Sequence, residues 1–298
     1  MTGSAWSVET MAAQNGRVMI VTGASGGIGQ ETARVLAASG ATVVLAVRDI
    51  AKGGRAAEQI RARHPRGDLR VHELDLANLA SVERFAAGIR SEFERLDVLI
   101  DNAGVMMCPY ALTADGFEMQ FGTNHLGHFA LTLRLLPLLV RTAGSRVVVV
   151  GSLSHKHARL DLTDPHWKSR PYNTGRAYSD SKLANLLFAR ALARRLGGQG
   201  GNPLVVAAHP GVTASELERH SRYMAVLNRL IAQPVEAGAW PILRAAVDPG
   251  AAAGDYFGPA RWMEMRGEAV RVQPSAQACD DELAERLWRV STQMTGVS

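Results

Sequence analysis

Apolar, mostly β-branched runs recur along the first two thirds of the chain. They fall at 17–22 (RVMIVT), 42–47 (TVVLAV), 69–74 (LRVHEL), 97–101 (DVLID), 146–150 (RVVVV) and 204–208 (LVVAA). Runs of this length and composition read as strands buried on both faces. Between them, apolar residues return every three or four positions over roughly 27–39, 50–63, 79–93, 114–141 and 178–197. That period predicts helices. Alternation of strand and helix from the start builds a parallel sheet, because each crossover lays a helix on one face of it. The expected fold is α/β: a single-domain, doubly wound parallel sheet with helices on both faces. Gly40, just past the first helix, suits a left-handed helix stop.

The pattern changes after residue 209. Residues 212–233 are irregular and include Leu217, Tyr223, Met224, Val226, Leu227, Leu230 and Ile231. A helix near 235–247, a short strand near 254–258 (GDYFG) and a last amphipathic helix at about 280–293 follow. No linker, repeat or low-complexity tract divides the chain, so 1–298 reads as one domain, with 1–14 peripheral. A length of 298 residues is close to the upper limit for a single core.

Composition narrows the function. Hydrophobic residues at 47% and charged residues at 20% are ordinary globular usage. The net charge is +5, yet the basic residues are scattered beside acids, as in RSEFERLD, and no run gathers on one face. That argues against a nucleic-acid partner. Cys108 and Cys279 have neither metal-ligand spacing nor the makings of a disulfide framework. The first 16 residues lack a charged start followed by an apolar run, so the expected location is cytoplasmic. The stretch FALTLRLLPLLV is broken by Arg134 and Pro137 and is too short for a membrane span.

The first strand ends in VTGASGGIG. Gly23, Gly27 and Gly29 stand in a T-G-x-x-x-G-x-G arrangement between strand and helix, with Ser25, Gly26 and Ile28 among them. Glycine is needed where a chain turns sharply and its backbone must approach a pyrophosphate closely. The same glycines could serve only a tight turn; their place on the first strand of an α/β sheet favours a Rossmann-type dinucleotide site. In such sites an acid at the end of the second strand binds the ribose 2′-hydroxyl. Here that strand ends LAVRD, so Val47 takes the acid's place and Arg48 offers a donor fork to a 2′-phosphate. The expected cofactor is NADP(H) in preference to NAD(H). Asp49 leaves open a contact with a ribose, and Arg48 the reading of an ordinary surface residue.

TGASGGIG, DNAG at 101–104, YSDSK at 178–182 and HPG at 209–211 occur in order. Together they resemble the short-chain dehydrogenase/reductase family over roughly 17–290. TNHLGHF at 123–129 and SKLAN at 181–185 resemble its branch of retinol-dehydrogenase-like and protochlorophyllide-reductase-like proteins. The resemblance implies an oxidoreductase that moves a hydride between NADP(H) and a carbonyl or alcohol. It implies adenine contacts at Asp75 and Leu76, and an adenosine-side turn at Asn102, Ala103 and Gly104. Asp101 replaces the first Asn of the family's N-N-A-G. The implied catalytic set is Asn124, Ser152, Tyr178 and Lys182. Pro210 and Gly211 match the nicotinamide-side turn, and Ser215 the position of a carboxamide contact.

The chemistry suits these types. Tyr178 and Lys182 are four apart and share a helix face. A free Tyr titrates near 10, and a nearby ammonium favours its phenolate. Ser152 would hold the reacting oxygen beside the phenol, Lys182 would bond the nicotinamide ribose, and Asn124 would hold a water linked to Lys182. The stretch between Ser152 and Tyr178 reads as an insertion carrying His155, His157 and His166; no acidic or Cys cluster completes a metal site there, so none is expected. His125 and His128, three apart, read as packing or hydrogen-bonding residues. Residues 212–233 are apolar enough for a lid over a lipophilic substrate, although a helix packed on the domain would look similar. The alternative function is a regulator that binds NADP(H) without turnover; retention of both Tyr178 and Lys182 argues against it.

Overall fold

The computed structural model describes residues 6–64, 66–197, 203–213 and 232–298. The strands are β1 (Val18–Thr22), β2 (Thr42–Val47), β3 (Asp68–Glu73), β4 (Val98–Asp101), β5 (Arg146–Val150), β6 (Leu204–Ala208), β7 (Tyr256–Arg261) and β8 (Arg266–Arg271). They form one sheet in the order β3-β2-β1-β4-β5-β6-β7-β8. β1 to β7 are parallel, and β8 returns antiparallel to β7. The strand order reverses direction between β1 and β4, which opens a crevice at the carboxyl ends of the strands.

The helices are α1 (Gly27–Ala38), α2 (Ile50–Arg63), α3 (Leu79–Glu92), α4 (Met119–Phe121), α5 (Gly127–Arg141), α6 (Thr174–Gly197), α7 (Val235–Val247) and α8 (Asp281–Thr295). A π-helical turn, Gly122–Leu126, joins α4 to α5. Met19, Val21, Val43 and Leu45 pack on one sheet face with Leu36 of α1, Ile60 of α2 and Ile242 of α7. Ile20, Val44, Leu99 and Val147 pack on the other with Phe85 of α3, Phe129 of α5, Leu187 of α6 and Leu287 of α8. Alternate strand residues thus feed two cores, which is why the central strands β1, β2, β4, β5 and β6 are almost wholly apolar. Each such buried side chain stabilises the fold by about 1.5–3 kcal/mol.

Two elements differ from the sequence reading. The helix expected from 114 starts at Met119, because Gly116 turns the chain at φ +80° and the Glu118 carboxylate caps α4 by accepting from the Gln120 and Phe121 amides. The single strand expected near 254–258 is the first half of a hairpin. β8 (RGEAVR) went unread because Gly267 and its charges hide the alternation. Of the expected lid, only residues 212–213 and 232–233 are described; Leu217, Met224, Leu227 and Ile231 lie outside the described residues. Among the described residues no helix is long and apolar enough to cross a membrane.

Candidate active site

A cleft of about 340 Å³ opens at the crevice. Its floor is the glycine loop: Gly23, Ser25, Gly26, Gly27, Ile28 and Gly29 all line it. Gly23 sits at φ +70°, and a Cβ there would lie 2.9 Å from the Ala103 Cα. A Cβ on Gly29 would lie 2.6 Å from Asn102 Nδ2, which itself donates to the Thr22 carbonyl at 2.8 Å. These two glycines let the loop close against the 102–104 turn. Thr22 Oγ1 also accepts from the Asn102 and Ala103 amides, both at 2.9 Å. Asn102, Ala103 and Gly104 thereby form one wall of the cleft.

The first helix can receive an anion at its start. No side chain caps the N-terminus of α1, whereas Asp49 caps α2 and Asn78 caps α3. The free amides at the start of α1 face the cleft, where the positive end of the helix dipole favours phosphate. Arg48, just past β2, and Lys52, in the first turn of α2, line the same cleft. The Asp49 carboxylate accepts from the Lys52 amide at 2.9 Å, and that bond holds it below its ordinary value. Asp49 is not among the residues that line the cleft. Asp75 and Leu76, just past β3, line the cleft as well. Asp75 Oδ1 accepts from the Ala77 amide, and a Cβ on Gly127 would lie 2.4 Å from the Leu76 carbonyl oxygen, so α5 approaches that loop closely.

At the other end stand Tyr178, Lys182 and Pro210. Tyr178 and Lys182 are one turn apart on α6, both buried, with Lys182 Nζ 5.9 Å from the Tyr178 ring centroid. Burial raises the Tyr178 phenol above its ordinary value, and a hydrogen bond with Ser152 acts in the opposite direction. Burial also brings the Lys182 ammonium down to about 8. Its Nζ donates to the Val150 carbonyl at 3.1 Å, which Asn185 also bonds at 3.2 Å. Ser152 follows β5 and begins the 3-10 turn Leu153–His157, where its hydroxyl accepts from the Ser154 amide at 3.2 Å. Asn124 lies in the π-helical turn. Its Oδ1 accepts from the Val105 amide at 2.8 Å, and its Nδ2 donates to the Val105 carbonyl and to Ser181 Oγ, both at 2.9 Å. The side chain therefore fixes the loop after Gly104.

The remaining expectations fall as follows. Gly211 follows Pro210 at φ +68°, with its α-carbon packed under the Met265 carbonyl. Ser215 lies outside the described residues. His128 Nδ1 donates to the Asn124 carbonyl and its Nε2 accepts from Thr22 Oγ1, both at 2.9 Å, so it is a buried neutral ring, held near 4 by burial. His125 contacts Ser291 Oγ at 2.7 Å. Of the insertion's histidines, His155 and His166 are buried and His157 is exposed. Among the described residues no three His, Cys, Asp or Glu gather as for a metal. Sequence reasoning missed Lys52, four residues beyond Arg48, and also Ala46, Leu74, Val105, Thr123, Val150 and Gly151, which complete the cleft.

The fold and this arrangement define a dinucleotide-dependent oxidoreductase of the doubly wound class. The profile of the short chain dehydrogenase family matches residues 17–225, and the chain belongs to that family. It falls in the retinol-dehydrogenase-like part. It is 44% identical to human Retinol dehydrogenase 12 over 287 residues, which cover 95% of this chain and 87% of the relative. A crystal structure of an uncharacterised protein from Mycobacterium Paratuberculosis matches with a TM-score of 0.83 at 42% identity, covering 99% of each chain. The Pseudomonas aeruginosa RhlG/NADP active-site complex matches at 0.67 and 27% identity, covering 82% of this chain and 94% of that one. The family uses a nicotinamide cofactor and acts on alcohol and carbonyl groups.

Proposed function

We propose that this protein is an NADP(H)-dependent reductase of lipophilic carbonyl compounds, with Tyr178 as proton donor to the carbonyl oxygen. The observation that carries it is the convergence of Tyr178 and Lys182 at one end of the cleft, with Ser152 bonded to Tyr178, while the other end holds Arg48, Lys52 and an uncapped helix start. The donor set fits the cofactor: amides for the pyrophosphate, two cations for a 2′-phosphate, and Asp49 turned to its cap. The bound nicotinamide would supply the hydride. Ser152 would hold the substrate oxygen, and Tyr178 would deliver the proton. Burial holds the phenol in its protonated form, so it carries the proton that the carbonyl oxygen takes up as hydride arrives. Lys182, charged below about pH 8, would bond the ribose hydroxyls and favour the phenolate left behind.

Lipophilic substrates are supported by the name of the human relative and by the apolar residues of 212–233. Each methylene buried is worth about 0.8 kcal/mol. With NADPH and straight-chain aldehydes of increasing length, kcat/KM should rise with length until the pocket is filled. A flat response, or a preference for small charged substrates, would remove the lipophilic part of the reading.

A further inference from the structure

The hairpin β7–β8 carries an inverted tip. Trp262, Met263 and Glu264 are three consecutive residues at φ +54°, +54° and +66°. None is glycine, and left-handed backbone is unfavourable for each of them. The two apolar side chains face solvent, Trp262 at 59% and Met263 at 84% exposure, while the charged Glu264 turns inward, its side chain only 22% exposed. A tip shaped by solvation alone would do the reverse. The strain is therefore held by what Glu264 meets.

Glu264 meets two elements that flank the reaction site. Its carboxylate accepts from Lys156 Nζ at 2.9 Å. Lys156 lies on the 3-10 turn that starts at Ser152. Its other oxygen stands 3.2 Å from His209 Nε2, the residue before the Pro210–Gly211 turn. That approach is oblique, and neither atom has another hydrogen-bond partner; the contact is electrostatic. His209 is fully buried, and its Nδ1 accepts from the Gly211 amide at 3.2 Å, so the ring proton sits on Nε2 and faces the carboxylate. Both contacts hold the carboxylate below its ordinary value. Next in sequence, the Met265 carbonyl accepts from the Val212 amide at 2.9 Å. The hairpin tip thus grips the cofactor-side turn by both backbone and side chain.

We infer that Glu264 is a positioning residue: one carboxylate sets the placement of the Ser152 turn, through Lys156, relative to the Pro210–Gly211 turn, through His209. The inference rests on reading those two turns as opposite walls of the reaction site. It predicts that the walls loosen together when the carboxylate is neutralised, although Glu264 contacts no reacting atom. A Gln at this position keeps the size but presents one acceptor and one donor to two donors.

The test compares wild type with Glu264→Gln, Lys156→Met and the double variant. Backbone amide exchange is followed at Gly211 and Val212 on one wall and at Ser154 and His155 on the other. Expected are exchange at least threefold faster at both walls in Glu264→Gln, with β1 and β5 unchanged, and no further gain in the double variant at the Ser152 wall. In turnover with NADPH, kcat should fall about tenfold while the NADPH Kd moves less than threefold; a purely structural role would lower melting temperature and leave the kcat of folded protein alone. Unchanged exchange at both walls, a change at one wall only, or wild-type kcat with faster exchange would each overturn the inference. If wild type turned over no carbonyl substrate, the proposed function would fail, and the exchange comparison alone would decide the role of Glu264.

Discussion

Replacing Asp101 by Asn should change how stability depends on pH by an amount the structure sets. Asp101 closes β4, is fully buried, and accepts from Thr132 Oγ1 at 2.8 Å through Oδ2, while Oδ1 has no hydrogen-bond partner. Burial pushes its carboxyl from an ordinary 3.8 up to about 8. Below pH 4 both folded and unfolded chains carry the proton, and the residue adds no pH dependence. Between 4 and 8 the unfolded chain is ionised and the folded chain is not. The folded state then binds one more proton, so stability falls as pH rises, by about 1.4 kcal/mol per unit. Above 8 the loss is complete. From pH 5.5 to 7.5 the loss is roughly 3 kcal/mol. Asn has no proton to lose. Any fixed cost of its buried amide is the same at every pH and cancels when the two pH values are compared, as do the other titrating groups. Urea unfolding followed by tryptophan fluorescence at pH 5.5, 6.5 and 7.5 should show Asp101→Asn gaining on wild type by roughly 3 kcal/mol across the range. A difference that stays constant with pH would refute the reasoning.

Two further predictions concern the cleft. Arg48→Ala should weaken NADPH binding about ten- to a hundredfold, the loss of one charge-assisted contact of about 1.5–3 kcal/mol, and leave NADH nearly untouched; fluorescence titration of both cofactors checks it, and parallel losses would contradict it. Because burial raises the Tyr178 phenol, carbonyl reduction should be flat from pH 6 to 7, where the donor proton is present and Lys182 keeps its charge, while alcohol oxidation should climb over the same range as the phenolate fraction grows. Initial rates in the two directions measure this, and oxidation that is independent of pH would count against it.

The legible parts of the sequence were those where one short segment suffices. The strands β1, β2, β4, β5 and β6 of the sheet's centre read directly, because both faces of each are buried and the apolar run is nearly unbroken, while the edge strand β3 keeps only Leu69 buried and reads through its alternation. Helices α2 and α7 match the expected limits, and α2 does so because Asp49 caps it. The glycine loop was legible because glycine is forced where Gly23 meets Ala103 and Gly29 meets Asn102. Asp49 was ambiguous because a cap and a ribose ligand are the same residue type at the same place; the structure shows the cap, a bond from the Lys52 amide, with Asp49 outside the cleft lining. Lys52 had a signal, four residues along from Arg48, that was not used. The partners of Asn124 were hidden, since Val105 and Ser181 lie far off in sequence and meet it only through the π-helical turn. The hairpin tip was hidden for the same reason: Glu264 meets Lys156 and His209 across more than fifty residues.

The central claim is that Tyr178 delivers the proton while contributing little to cofactor binding, and Tyr178→Phe tests it most directly. The substitution removes one hydroxyl from a buried ring and keeps its packing. NADPH oxidation with a saturating aldehyde and NADPH titration should be measured on the same preparation of each protein. The account predicts a fall in kcat of about 10²–10⁴-fold, the range for loss of a general acid, with the NADPH Kd within about threefold of wild type, a change below 1 kcal/mol. Turnover at the wild-type rate in Tyr178→Phe would contradict it, as would a wild type that binds NADPH but consumes none with any carbonyl substrate.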